Sequence, residues 1–102
     1  MAAPDPMPTT PVTPRLLCID DDPLQHRVVE HLVGSFRHTR FDCDFAGTYD
    51  EGLVKLVNGQ YAVCLLDYQL DHRNGVELMR EARRVNPDTP VIMMTVLDTE
   101  DV

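Results

Sequence analysis

The 102-residue sequence lacks several features that would assign it to common classes of protein. No apolar run approaches the roughly 18 residues that a membrane-spanning helix needs, and no segment has the basic start and apolar centre of a signal peptide. Basic residues are scarce, because nine lysines and arginines face 17 acidic residues, for a net charge of −8. Phosphate contacts need a basic face, so nucleic-acid binding by this chain is not expected. We expect a soluble, cytoplasmic protein that binds no membrane.

Cysteine and histidine are present, but not in disulfide or metal motifs. None of the three cysteines, Cys18, Cys43 and Cys64, belongs to a CxxC pair, and each lies in a predicted strand. We expect them to be small buried side chains in a reducing compartment. The four histidines show no i, i+4 spacing, so a zinc site is not predicted.

The first 14 residues differ from the rest in composition. Met1–Pro14 contains five of the eight prolines and shows no apolar periodicity and almost no charge. This composition predicts a disordered, proline-rich leader. Residues 15–102 are expected to form the folded domain.

Apolar strands and amphipathic helices alternate through residues 15–102 about every 24 residues, which predicts an α/β fold with a parallel sheet. Strands are predicted at 15–20, 41–46, 61–66 and 90–95. Helices are predicted at 23–36, from Thr48 to Gly59 and from Asn74 to Asn86, with a loop at 68–73. Their predicted N-caps are Asp22, Thr48 with Glu51 three residues on, and Asn74 with Glu77 as its capping partner.

The predicted helices carry apolar residues at helical spacing, which we expect to face the sheet. These residues are Leu24, Val28, Val29, Leu32, Val33 and Phe36 in the first helix, Leu53, Val54, Leu56 and Val57 in the second, and Val76, Leu78, Met79, Ala82 and Val85 in the third.

Carboxylates directly follow two of the predicted strands. Asp20, Asp21 and Asp22 come after the first strand, and Asp67 comes after the third. Because the carboxyl ends of parallel strands meet at one edge of a sheet, at least three carboxylates are expected there. Two such charges about 5 Å apart repel by roughly 3 kcal/mol at an effective dielectric constant of about 20. The cluster therefore predicts a hard divalent cation such as Mg²⁺.

A hydroxyl at the end of the fourth strand, that of Thr95, completes a set suited to phosphoryl transfer. One carboxylate can attack a phosphoryl group, others can hold the metal, and a hydroxyl can bind a phosphoryl oxygen afterwards.

Three segments in order resemble the receiver domain of two-component response regulators. They are LLCIDDDP at 16–23, CLLDYQL at 64–70 followed by Asn74 and Gly75, and PVIMMT at 90–95. The resemblance covers residues 15–102 and implies a flavodoxin-like three-layer sandwich with a parallel sheet in the strand order 2-1-3-4. It also implies that the fifth strand and the last helix of the family are missing from this chain.

The resemblance further implies a role for each site residue. Asp67 matches the phosphoacceptor, and Thr95 matches the switch hydroxyl. Asp20 and Asp21 match the acidic pair that holds Mg²⁺, together with Asp67 and the backbone carbonyl of Gln69. The expected partners are a sensor histidine kinase or a phosphotransfer protein, with an output domain in a longer gene product. Such a domain is not an enzyme, beyond Mg²⁺-dependent self-phosphorylation and slow autodephosphorylation.

Some positions depart from the family pattern. Asp71 stands where proline is usual, which would make the loop after Asp67 more flexible, and Val96 stands where a small residue is common, which would restrict access to Asp67. The family's catalytic lysine has no counterpart in this chain, because the only lysine is Lys55 in the second helix.

Two alternative functions stay open. One is a receiver-like interaction module that is not phosphorylated. The other is an Mg²⁺-dependent phosphohydrolase, which would have a second aspartate where this chain has Gln69. The uncharged apolar run Val91–Met94 in the fourth strand is typical of an interior strand, because edge strands usually carry charges or proline. Without the fifth strand that the resemblance implies, this strand would form an unprotected sheet edge, through which we expect copies of the chain to self-associate.

Overall fold

The structure, a computed structural model, describes residues 13–94. The predicted leader therefore lies almost wholly outside the described residues, as do Thr95 and Val96. In chain order the elements are β1 (Arg15–Ile19), α1 (Pro23–Gly34), β2 (Asp42–Ala46), α2 (Tyr49–Asn58), β3 (Val63–Asp67), β4 (Gln69–Leu70), β5 (Arg73–Asn74), α3 (Gly75–Val85) and β6 (Val91–Met94).

Four strands form one parallel sheet in the order β2-β1-β3-β6. This confirms the predicted strand order 2-1-3-4, with β6 as the predicted fourth strand. The prediction of a loop at 68–73 was wrong, because β4 and β5 pair there as a short antiparallel hairpin. Backbone pairing across the tight turn supplies hydrogen bonds that the sequence pattern did not reveal.

The helices lie on both faces of the sheet, which gives the predicted three layers. Leu17 and Ile19 of β1 belong to a core cluster with residues of α2 and α3, whereas Leu16 and Cys18 pack with Val29 and Val33 of α1. Alternate side chains of β1 are therefore buried on opposite faces, as expected for an interior parallel strand.

The predicted N-caps are confirmed at all three helices. The side chain of Asp22 accepts a hydrogen bond from the N–H of Leu24, Thr48 accepts one from Glu51, and Asn74 accepts one from Glu77. Each cap satisfies a backbone donor that the first helical turn leaves without a partner. The caps also fix where each helix begins relative to the strand before it.

The predicted inner faces of the helices were partly wrong. Only Val29 and Val33 of α1 are buried, and six of the apolar residues expected to face the sheet are exposed: Leu24, Val28, Leu32, Phe36, Val54 and Val85. In α1 the exposed residues 24, 28 and 32 form one row along the helix, and the buried residues 29 and 33 form another. Each residue of the buried row comes one position after a residue of the exposed row, so the two rows lie about 100° apart around the helix axis. A single helix cannot turn both rows towards the sheet.

The three cysteines are free, with Cys18 and Cys64 buried and Cys43 half-buried. Burial raises the pKa of both Cys18 and Cys64 to about 12, so their thiols are protonated and unreactive at neutral pH.

Between residues 13 and 94, no helix combines the length and the apolar character needed to cross a bilayer.

Candidate functional site

Three carboxylates meet at the carboxyl edge of the sheet. One oxygen from each of Asp20, Asp21 and Asp67 lies within 4.8 Å of the others. The register explains why Asp20 and Asp67 meet, because Ile19 of β1 lies opposite Leu66 of β3 and the residue that follows each of them is an aspartate. Within the described range, this is the one cluster of three or more acidic, histidine or cysteine side chains close enough to share an ion.

Asp20 is the buried member of the cluster and is 5% exposed. Its N–H donates to the backbone oxygen of Ala46 at 3.0 Å, and its Oδ1 accepts from the N–H of Asp22 at 2.9 Å. Burial raises the pKa of Asp20, the hydrogen bond from Asp22 opposes that rise, and the charges of Asp67 and Asp21 add to it. The negative form of Asp20 is therefore costly until a cation offsets it.

Asp21 is exposed and is joined to the β4–β5 hairpin. Its Oδ2 accepts from the backbone N–H of Asp71 at 3.3 Å. Asp71 has a φ angle of 56°, which proline cannot adopt because its ring holds φ near about −65°. The aspartate that stands here in place of the family's usual proline therefore allows a turn that proline could not form.

Asp67 is the last residue of β3 and is half-buried. Its Oδ1 accepts from the N–H of Gln69 at 3.3 Å, and the N–H of the intervening Tyr68 donates to Met94 in β6. A Cβ atom at Gly75 would clash with the backbone oxygen of Asp67, so only glycine lets α3 begin this close to the strand end. These contacts hold Asp67 between β6 and the start of α3.

The other predicted site residues have different positions. Gln69 lies in β4 and is paired with Asn74. Its backbone N–H donates a hydrogen bond to the carboxylate of Asp67. Its backbone carbonyl as a metal ligand stays a prediction. Asp22 caps α1, as predicted, and is not a member of the carboxylate cluster. Thr95 lies outside the described residues.

Lys55, the only lysine of the sequence, belongs to a polar network between β2 and α2. Its Nζ donates to the carboxylate of Asp44 at 3.0 Å and to the backbone oxygen of Phe45 at 2.7 Å. The hydroxyl of Tyr61 donates to the same carboxylate at 2.7 Å. Burial alone would raise the pKa of Asp44, but the hydrogen bonds from Tyr61 and Lys55 lower it overall. Lys55 therefore supports the fold at an edge strand.

The carboxylate cluster fits a hard divalent cation. It offers only oxygen ligands and carries up to three negative charges, which suits Mg²⁺ better than a softer ion that prefers nitrogen or sulfur. Burial raises the pKa of Asp20, and a bound cation would oppose that rise because it favours the ionised carboxylate.

Sequence reasoning missed two contacts at the site. One is the backbone N–H of Asp71 on Asp21, and the other is the imidazole of His26, whose Nε2 lies 2.6 Å from the backbone oxygen of Asp20. A backbone donor leaves no signal in a sequence. His26 could have been suspected only from its place in α1, one turn beyond the N-cap and near the carboxyl end of β1.

Comparison with known proteins identifies the family. A family model described as the response regulator receiver domain matches residues 16–102. The regulatory protein VanRB of Enterococcus faecalis is 32% identical over 91 residues, which cover 85% of this chain and 38% of that protein. The transcriptional regulatory protein PmrA of Pectobacterium parmentieri is 31% identical over 87 residues, with the same two shares. The chain thus spans well under half the length of these relatives.

Solved structures show the same relationship. A CheY-like response regulator receiver domain protein from Methanospirillum hungatei superposes with a TM-score of 0.73 at 27% identity, over 88% of this chain and 70% of that one. The response regulator TrrA from Thermotoga maritima, solved in complex with Mg²⁺ and BeF, gives a TM-score of 0.72 at 26% identity, over 88% of this chain and 77% of that one.

Proposed function

Because the chain belongs to the response regulator receiver domain family, we propose that Asp67 accepts a phosphoryl group from a sensor histidine kinase or a phosphotransfer protein. The observation that carries this proposal is the convergence of Asp20, Asp21 and Asp67 within 4.8 Å at the carboxyl edge of the sheet. Such a domain relays a signal and is not a turnover enzyme.

Asp67 is better suited to attack than the other two carboxylates. Asp20 is almost fully buried, so a phosphorus atom could not approach it in line with a leaving group. Asp21 is exposed and lies outside the strands, in the loop between β1 and α1. Asp67 is half-buried at the end of β3, where the backbone on both sides is held by hydrogen bonds. A fixed nucleophile loses little freedom on reaching the transition state.

The proposed transfer makes one bond and breaks one. A carboxylate oxygen of Asp67 attacks the phosphorus, while the bond between phosphorus and the donor nitrogen breaks and the imidazole of the donor takes up a proton. The product is an acyl phosphate on Asp67. Mg²⁺ would be held by Asp20, Asp21, Asp67 and the backbone carbonyl of Gln69. The bound ion would neutralise charge on the phosphoryl oxygens. The hydroxyl of Thr95 would then bind a phosphoryl oxygen.

The wider context follows from the same family membership. VanRB and PmrA are named as regulatory proteins, and this chain spans 38% of their length. We infer that it acts in the cytoplasm with an output domain in a longer gene product. The three free cysteines are compatible with a reducing compartment.

We also infer that the 102-residue chain self-associates through β6. Within the part of the chain that the structure describes, β6 pairs with β3 alone and forms one edge of the sheet. The edge is uncharged, and Ile92 at its centre is 54% exposed. An apolar edge with free backbone donors and acceptors can pair with a second copy.

Intact-mass analysis after treatment with a small acyl phosphate tests the phosphoacceptor role. We expect one phosphoryl group per chain with Mg²⁺, and none without Mg²⁺ or in Asp67→Asn. Asp22→Asn is the matched control, because asparagine also caps helices and the labelling should persist. Absence of labelling in the parent chain would contradict the proposal and favour the interaction module, and turnover of a free phosphate ester would favour the phosphohydrolase.

A further inference from the structure

His26 contacts the main chain of a candidate metal ligand, and the proposed function gives it no role. Its Nε2 lies 2.6 Å from the backbone oxygen of Asp20. Because a carbonyl oxygen only accepts hydrogen bonds, Nε2 must carry the proton and donate it. The ring stacks on Phe45 of β2, with centroids 4.9 Å apart and planes at 22°. His26 is therefore a donor whose orientation is fixed by an aromatic neighbour.

The position of this hydrogen bond gives it leverage over the site. Asp20 follows the last residue of β1, and its N–H is bonded to Ala46 of β2. The bond from His26 holds the carbonyl of the peptide group that joins Asp20 to Asp21. Both peptide groups that flank Asp20 are thus fixed, one by β2 and the other by α1. Since that second peptide group links two carboxylates of the cluster, its orientation affects where both of them point.

We propose that His26 is a positioning residue for metal binding, which fixes the Asp20–Asp21 peptide group so that both carboxylates point at a common ion. The inference rests on the proposed function, because it takes the cluster as the Mg²⁺ site. Residues that orient metal ligands without touching the metal commonly alter affinity by about 10- to 100-fold when they are replaced.

Packing alone is the competing explanation. His26 is half-buried against Phe45, so its loss could weaken the fold without affecting the carboxylates. The two explanations differ in what restores function. A packing role needs a side chain of suitable size, whereas a positioning role needs a hydrogen-bond donor at the place of Nε2.

Two replacements of similar length separate these roles. His26→Gln keeps an N–H donor that can reach the backbone oxygen of Asp20, and His26→Met fills similar space without a donor. Calorimetric titration of the metal-free full chain with MgCl₂ measures the Kd of each. We expect His26→Gln to bind within about threefold of the parent chain and His26→Met to bind about 10- to 100-fold more weakly. His31→Met, on the exposed side of the same helix, should leave the Kd unchanged.

The outcomes are decisive in each direction. Equal Kd values for His26→Met and the parent chain, or equally weakened binding in both His26 variants, would overturn the proposal. If His26→Met does not fold, His26→Leu takes its place as a second variant without a donor: a Kd about 10- to 100-fold weaker than that of the parent chain supports positioning, and an unchanged Kd contradicts it. A parent chain that binds no Mg²⁺ would refute the metal site together with this inference, whereas normal Mg²⁺ binding without labelling of Asp67 would refute the phosphoacceptor role alone.

Discussion

The backbone N–H of Asp71 donates to Oδ2 of Asp21 across 3.3 Å, so the tip of the β4–β5 hairpin is bonded directly to the carboxylate cluster. Asp71 has a positive φ angle of 56°, and aspartate is one of the few residues other than glycine that tolerate this conformation. The hairpin is also held from the other side, since the guanidinium of Arg73 lies over the ring of Tyr49 in α2. The hairpin therefore connects the site to the α2 layer.

Replacement of Asp71 by proline should damage both the turn and the site. Proline cannot adopt the observed φ angle and has no N–H to donate to Asp21. We expect Asp71→Pro to lower the free energy of unfolding by more than about 1 kcal/mol. Asp71→Gly keeps the N–H and allows a positive φ, so its stability should stay within about 1 kcal/mol of the parent chain. Urea unfolding of both variants measures the difference, and a stable Asp71→Pro chain would contradict the observed turn.

Removal of a charge from the carboxylate cluster should stabilise the metal-free chain. Burial raises the pKa of Asp20 above its ordinary value of 3.8, so the folded chain binds this proton more tightly than the unfolded chain does. The free energy of unfolding should therefore fall as the pH rises from about 3.8 through the raised pKa. Asp20→Asn should reduce this loss, and Asp67→Asn should also stabilise the metal-free chain by removing repulsion.

Mg²⁺ should reverse the order of these stabilities. At about 100 times its Kd, Mg²⁺ should add roughly 2.7 kcal/mol to the parent chain and much less to either variant. Thermal melts at neutral pH with and without Mg²⁺ provide the comparison. Identical melting midpoints for the parent chain in the two buffers would show that the carboxylates do not form a metal site.

Loss of the Tyr61 hydroxyl should weaken the edge of the sheet. The hydroxyl donates to Asp44 at 2.7 Å, and this bond helps to lower the pKa of Asp44 below 3.8. We expect Tyr61→Phe to cost about 1.5 kcal/mol at neutral pH. A lowered folded pKa gives stability above about pH 3.8 that is lost as the pH falls through the folded pKa, so the cost should shrink in acid. Tyr68→Phe, at an exposed position, is the control, and equal effects of the two changes would refute the network.

A charge on β6 should prevent the self-association proposed for this chain. Ile92 is exposed at the centre of the edge strand, and lysine at such a position opposes pairing between edges. We expect light scattering to show concentration-dependent association of the parent chain and a monomer for Ile92→Lys. Val85→Lys, at an exposed site on α3, should associate like the parent chain. A parent chain that is monomeric at all concentrations would contradict the proposal.

Local signals in the sequence were sufficient to predict the layout of the fold. Asp22, Thr48 and Asn74 are caps whose effect depends on the next few residues, so all three helix starts could be predicted. The meeting of Asp20 and Asp67 follows from parallel strands that end in carboxylates.

Features that depend on tertiary placement could not be predicted. Which row of α1 faces the sheet is decided by how the helix lies on β1 and β2, so Leu24 and Val29 look alike in the sequence although only Val29 is buried. The hairpin at 69–74 and the contact of His26 with Asp20 depend on backbone atoms, which every residue possesses. For the same reason the need for glycine at position 75 could not be predicted, because it depends on the closeness of Gly75 to the backbone oxygen of Asp67.

The location of the trapped phosphoryl group tests the central claim most directly. The chain is treated with an acyl phosphate in Mg²⁺, reduced with borohydride at the acyl phosphate, digested and analysed by tandem mass spectrometry. The account predicts that Asp67 alone is converted, and that the conversion is abolished by Asp67→Asn. Conversion at Asp20 or Asp21, or undiminished conversion in Asp67→Asn, would contradict it.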